Sequence, residues 1–180
     1  MSQPPAPDNT PTLVTARLRL VPFGPQHLTE RYVAWLNDPA VVRYSENRHR
    51  RHTLESCARY ADGMKTGGHP FWAVEWNGAH IGNLTAYCDR PNRVADLAIM
   101  IGAPEARGHG LGLEAWCAAL DHLLGPAGGQ RKVTAGTMAA NRPMLGVMAG
   151  SGMSEEGRRR AQFLLNGEPV DMVMAARFAP

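Results

Sequence analysis

Apolar residues recur along this chain with two periods, and the places where the period switches divide it into elements. Between Leu13 and Phe23, Leu18 and Leu20 alternate with Arg17 and Arg19 and run on into Val21, the pattern of a half-buried strand. Pro25 suits the first turn of a helix, and Leu28, Tyr32, Trp35 and Leu36 mark one helical face that ends near Asn37-Asp38-Pro39. A short turn, Ala40 to Tyr44, leads into the polar, basic stretch Ser45 to His52. Thr53 suits the cap of a second helix with Leu54, Cys57, Tyr60, Ala61 and Met64 inward, ended by Gly67-Gly68. Phe71 to Trp76 reads as a strand, Asn77-Gly78 as a hairpin turn, and Ile81 to Tyr87 as the returning strand. After a turn at Asp89 to Asn92, Val94 to Ile101 completes a meander.

The period then lengthens: Leu113, Trp116, Cys117, Leu120 and Leu124 fall on one helical face. Val133, Ala135 and Thr137 alternate as a strand, and Asn141 starts a shorter helix ending near Gly150-Ser151-Gly152. Arg158 to Leu165 and Val170 to Phe178 form a final hairpin across Asn166-Gly167, with Pro169 just before its second strand. This order predicts one α/β domain with a mixed sheet over residues 13–180. Residues 1–12, rich in proline and polar side chains, are expected to be a disordered tail. Only the strand–helix–strand unit after Val94 demands a parallel pair, because a helical crossover returns the chain in the same direction.

Between strand and helix lies Ala106-Arg107-Gly108-His109-Gly110-Leu111-Gly112. Three glycines remove three Cβ atoms, so the backbone can take positive φ and its N–H groups can approach a ligand. A helix start adds unpaired N–H groups and a positive dipole end, which suits a phosphate. A P-loop would need a Lys-Ser/Thr pair that is missing. The dinucleotide fingerprint would need glycine where Leu113 stands. The pattern Arg-x-x-Gly-x-Gly is met in full by Arg107, Gly110 and Gly112.

Composition narrows the field. A net charge of +3 over 180 residues tolerates a polyanionic small molecule but does not mark a dedicated nucleic-acid binder. Cys57, Cys88 and Cys117 are odd in number and far apart, which suggests a reducing compartment and gives no zinc spacing. With no apolar run of membrane-spanning length and no signal-peptide pattern, a cytoplasmic protein without a membrane partner is expected.

The glycine pattern resembles the pyrophosphate loop of the GNAT superfamily, the acyl-CoA-dependent N-acyltransferases. The order of elements resembles theirs over about residues 15 to 178. Asn141, with Gly152 eleven positions later, matches a second family feature, although Met153 replaces the usual Phe. The tail from Glu156-Gly157-Arg158 to Val170-Asp171 resembles the ribosomal-protein N-terminal acetyltransferase branch. The segment Trp35 to Pro39 with Val42-Arg43-Tyr44 resembles a branch that acetylates nucleotide-linked amino sugars.

The resemblance implies a GNAT-like mixed, mostly antiparallel sheet with a splayed parallel strand pair, flanked by helices. It implies an N-acetyltransferase with acetyl-CoA as co-substrate. Backbone groups of Ile99, Met100 and Ile101 would pair with the pantetheine arm. Amides from Arg107, Gly108, His109, Gly110, Leu111 and Gly112 would hold the pyrophosphate, with Asn141 beside the arm. The acceptor is a primary amine: a protein N-terminus, an amino sugar or another small amine.

The resemblance further implies direct attack by that amine, helped by a base. Asp96, at the start of the strand feeding the loop, is the catalytic candidate; its bland reading is a solvated strand-end carboxylate. Glu114, in the first helical turn, reads as structural. Met148 and Met144 occupy the places where relatives carry a Tyr or Ser, so no general acid is named. His109 reads as a backbone contributor with an exposed ring.

Tyr44, Glu46 and His49, between the first two helices, are candidate substrate contacts. The basic stretch Arg48 to His52 is a solvated loop, a holder of an anionic acceptor, a seat for the CoA 3′-phosphate, or an RNA contact. Two rivals remain: a non-catalytic acyl-CoA-binding or regulatory module, and an RNA-associated binding protein. A homodimer is compatible with all three.

Overall fold

The computed structural model describes residues 10–180, so the expected tail over 1–12 lies almost wholly outside the described residues. Within them, the Pro11 carbonyl accepts a hydrogen bond from Trp72 Nε1 at 2.8 Å. The stretch from Leu13 to Phe23 is two strands rather than the expected one, β1 (Leu13–Val14) and β2 (Leu18–Pro22), folded back so that Leu13 pairs with Leu20. Thr15 turns the chain here: its hydroxyl accepts from the Leu18 amide at 2.9 Å, an alternative to continuing the ladder.

Pro25–His27 forms an isolated 3-10 turn. The helix α1 (Glu30–Asn37) starts later than expected because Thr29 caps it, accepting from the Tyr32 amide. A one-turn helix, α2 (Pro39–Val42), replaces the expected turn. Asp38 and Pro39 explain it, the first as cap and the second as a pre-set N1 residue. A 3-10 turn occupies Glu46–His49. Helix α3 (Leu54–Thr66) starts as expected at Thr53, with a capping box closed by Ser56. Leu54 and Tyr60, expected inward, are exposed, since each lies at the edge of the stripe formed by Cys57 and Met64.

The meander is β3 (Phe71–Trp76), β4 (Ala79–Asp89) and β5 (Val94–Ile101). Helix α4 (Leu111–Leu124) starts two residues before the expected Leu113. Gly112 therefore belongs to its first turn, and only Gly108 and Gly110 of the three glycines take positive φ, at 79° and 73°. Its buried stripe includes Leu111, Ala115, Trp116, Ala119, Leu120 and Leu123, whereas Leu113 and Cys117 are half-buried. The alanines let the helix lie close to the sheet, which rotates its inward face away from the spacing of the larger residues.

Strand β6 (Lys132–Met138) and helix α5 (Arg142–Gly150) follow. The hairpin β7 (Ser154–Leu165) and β8 (Glu168–Phe178) begins four residues earlier than expected. Pro169 lies inside β8, paired with Leu164. Pairing of β8 with β6 ends at Met138 and Met172, so proline faces no ladder on that side.

Among the described residues eight strands form one sheet in the order β1-β2-β3-β4-β5-β6-β8-β7, antiparallel except for β5 and β6. This is the mixed, mostly antiparallel α/β architecture expected. Trp72, Leu84 and Ile99 lie in one row across the sheet on the face covered by α4, where His122 meets the Trp72 ring. Phe71, Thr85 and Ala98 share the opposite face, where Tyr60 of α3 meets Phe71. Trp72 and Trp116 are wholly buried, each worth about 1.5–3 kcal/mol or more of burial. Helix α1 is fixed against the end of β5: a Cβ at Gly102 would lie 2.1 Å from the Trp35 ring, and Arg31 pairs with Glu105. Among the described residues no helix is long and apolar enough to cross a membrane.

Candidate active site

Strands β5 and β6 share only three residue pairs, Val94 with Lys132, Ala95 with Val133 and Asp96 with Thr134. Beyond them the strands part, while β5 keeps β4 on its other side as far as Ile101. Alternate backbone amides and carbonyls between Leu97 and Ile101 therefore face a gap instead of a neighbouring strand. Backbone polar groups need partners, so such an interrupted edge suits an extended ligand that pairs like a strand.

Gly110 caps α4 with no side-chain acceptor, leaving the N–H groups of the first helical turn directed outward. No atom lies within 4 Å of where a Cβ of Gly108 would be, so the loop faces open space. Its shape is held from behind. Arg17 donates to the His109 carbonyl at 2.9 Å and, through Nε, to Glu114 at 2.6 Å. Thr15 Oγ1 and the Arg17 amide also donate to Glu114. Burial pushes the Glu114 carboxyl up, but these hydrogen bonds outweigh it and hold the group below its ordinary range. The structural reading of Glu114 agrees with this clamp. The exposed His109 ring lies against Trp76, and Arg107 reaches the Gly102 carbonyl.

Asp96 stands at the last rung before the strands part. Solvent reaches it, yet the surrounding sheet desolvates its carboxyl and raises its pKa, opposed by a 2.8 Å hydrogen bond from Thr134 Oγ1. Alternation puts Asp96 on the α3 face with Ala98 and Met100, beside Tyr87, Thr85 and Asn83 of β4. The Tyr87 and Tyr60 hydroxyls are 3.0 Å apart above this row.

Asn141 caps α5, accepting from the Met144 amide and donating to Thr137 Oγ1 at 3.0 Å. Its amide carries two N–H donors, so one remains for a ligand. Met148 is buried and Met144 is packed against the core.

The substrate candidates divide. His49 lines a cavity between α1, α2 and the tip of the β7–β8 hairpin; Glu46 pairs with Arg48; Tyr44 lies under the Arg43 guanidinium.

Two features escape sequence reading. Asn83 is 5% exposed, and neither of its side-chain polar atoms has a hydrogen-bond partner among the described residues. A polar residue at an inward place of the β4 alternation was the available signal. The second is a cluster of Phe23, His27, Tyr32, Trp35 and His80, assembled from the segment after β2, the Pro25–His27 turn, α1 and β4. Burial, with His27 adding to it, lowers the His80 pKa to about 4, against the opposing Gly82 carbonyl.

The comparisons agree with this fold. The model of the acetyltransferase (GNAT) domain matches residues 17–154, and the chain belongs to that family. No curated protein sequence matches significantly. An acetyltransferase (GNAT family) from Bacillus anthracis is similar over 93% of this chain and 98% of its own, with 18% identity and a TM-score of 0.79. A ribosomal L7/L12 α-N-protein acetyltransferase in complex with coenzyme A covers the same shares at 16% identity and a TM-score of 0.81. The microcin C7 self-immunity acetyltransferase in complex with acetyl-CoA and AMP covers 91% of this chain and 93% of its own, at 12% identity and a TM-score of 0.78.

Proposed function

We propose that residues 13–180 form an N-acetyltransferase domain that moves an acetyl group from acetyl-CoA to a primary amine by direct attack. The observation that carries this reading is the parting of β5 and β6 after Asp96, directly before a glycine loop that opens a helix. Relatives of the same fold crystallised with coenzyme A or acetyl-CoA support the co-substrate. Free cysteines agree with a cytoplasmic setting.

When bound, acetyl-CoA supplies an acetyl thioester, which an amine can attack without an acyl-enzyme. The free edge formed by Ile99, Met100 and Ile101 holds the extended arm. Loop amides from Arg107 to Gly112 and the positive end of α4 hold the pyrophosphate. Asn141 offers its remaining N–H beside the arm. Asp96, with its raised pKa, takes the proton from the incoming ammonium, directly or through water. With methionine at positions 144 and 148, the departing thiolate takes its proton from water.

The test is thermal stability with and without acetyl-CoA, for wild type and Gly110→Asp. A ligand that binds only the folded state raises the melting temperature. A rise in wild type that is lost in the folded variant is expected; no rise at millimolar acetyl-CoA overturns the reading. In thiol-release assays Asp96→Asn is expected to lower kcat about 100-fold, within the usual contribution of a general base. Its melting temperature at pH 7 should be no lower than that of wild type. A carboxyl whose folded pKa is raised costs stability above that pKa, and the amide removes the cost.

A further inference from the structure

Away from the glycine loop, a cavity of about 450 Å3 lies between α1, α2, the Glu46–His49 turn and the tip of the β7–β8 hairpin. Its volume is that of a small-molecule site. Four basic side chains, Arg43, Arg48, His49 and Arg50, stand on its wall, and the remaining lining is apolar or amide, with no carboxylate. Arg48 is already used: it is largely buried, paired with Glu46 at 2.8 Å, and reaches the Ser45 and Leu164 carbonyls. It therefore ties the turn to the hairpin and closes one side. Arg43 and Arg50 have no carboxylate partner among the described residues; Arg43 stacks over Tyr44. Both guanidinium groups are therefore free of a carboxylate and open to an anion, and a guanidinium binds phosphate with paired N–H groups.

The cavity also lies on the acceptor side of the sheet. Its floor, Leu36 and Asn37, ends α1, the helix that shares the Asp96 face with α3 and is fixed to the end of β5 through Trp35 and Gly102. The hairpin carrying Leu164 to Gly167 extends past the end of β6, beyond the pair Met138 and Met172. Both walls of the cavity thus belong to elements at the open end of the parted strands. We infer that this cavity seats a phosphate group of the acceptor: the substrate class is a small primary amine that also carries a phosphate, held by Arg43 and Arg50. This rests on the acetyltransferase reading above and narrows its acceptor.

The test uses matched amines in phosphate-free buffer: ethanolamine against O-phosphoethanolamine, and glucosamine against glucosamine 6-phosphate. Thiol release is followed in wild type and in the Arg43→Ala/Arg50→Ala double variant. The phosphorylated member of each pair is expected to show kcat/KM at least about tenfold higher, given the strength of guanidinium–phosphate bonds. That ratio should fall to near one in the double variant, while the melting shift with acetyl-CoA is retained. No preference in wild type, or a preference that survives in the variant, overturns the inference. So does turnover of an acidic peptide N-terminus well above both phosphorylated amines.

If no amine turns over, melting shifts with O-phosphoethanolamine and glucosamine 6-phosphate decide. They are read in Gly110→Asp, whose impaired glycine loop removes the competing anion site, with and without the two arginine changes. A shift that needs the arginines sustains the cavity; no shift overturns it. Failure of acetyl-CoA to shift wild type falls on the proposed function instead, because the amine shifts are read independently of it.

Discussion

The two ends of the proposed site are built from different materials. The glycine-loop end is made of backbone: strand edges, helix N–H groups and glycines, with Arg17 and Glu114 bracing them from behind. The opposite end is made of long side chains on short irregular turns, Arg43, Arg48 and Arg50 among them, joined to the hairpin tip by a 3.3 Å hydrogen bond from Arg48 to Leu164. A backbone site is fixed by the fold that makes it and recognises what every ligand of its class shares. A side-chain site can change its ligand by exchanging a few residues and leave the fold alone. The contrast separates a constant half from a variable half.

Three substitutions probe that contrast, in falling order of effect. Trp116→Ala removes a wholly buried ring beneath the constant half, and urea unfolding should show a loss of about 3–5 kcal/mol. A loss under 1 kcal/mol would mean that α4 is not the packing foundation of this end. His80→Phe acts on the cluster where α1 meets β4, between the two halves. Wild type binds fewer protons folded than unfolded between pH 6.5 and about 4, so its stability should fall as pH drops through that window. The variant should show a shallower fall, measured as the melting temperature against pH. Glu114→Gln weakens the brace without changing its shape, and a loss of about 1 kcal/mol is expected at pH 7. The lowered Glu114 pKa makes the wild-type advantage complete above pH 4.5 and lost as pH falls through the folded pKa, so the two proteins should converge in acid. If the KM for acetyl-CoA then rises with little change in kcat, the brace serves binding by the loop.

The same contrast explains what could be read in the chain. The meander, the glycine loop, the α3 and α5 caps and the parallel pair were legible, because periodicity, Asn77-Gly78, Thr53 and Asn141 act locally. The split of the first strand was not, since it depends on a single Thr15 hydroxyl competing with a ladder. The inward face of α4 was read from its large residues, yet Ala115 and Ala119 decide it, because close approach depends on what is small. Asp96 was placed at the right strand, but its Thr134 partner is 38 residues away in the chain. Of the arginine cavity the sequence shows only the stretch Arg48 to His52, with an anionic acceptor among several possible ligands, and it does not join Arg43 to that stretch. Its meaning comes from Leu164 to Gly167, more than 100 residues further on, which no local pattern connects to it.

Three rungs join the five strands β1 to β5 to the three strands β6, β8 and β7. In mechanical terms the sheet is a plate with one seam, far shorter than the eight-pair joint between β4 and β5 beside it. A load across the plate concentrates at that seam, and a molecule lying along the open part of it acts as a rivet.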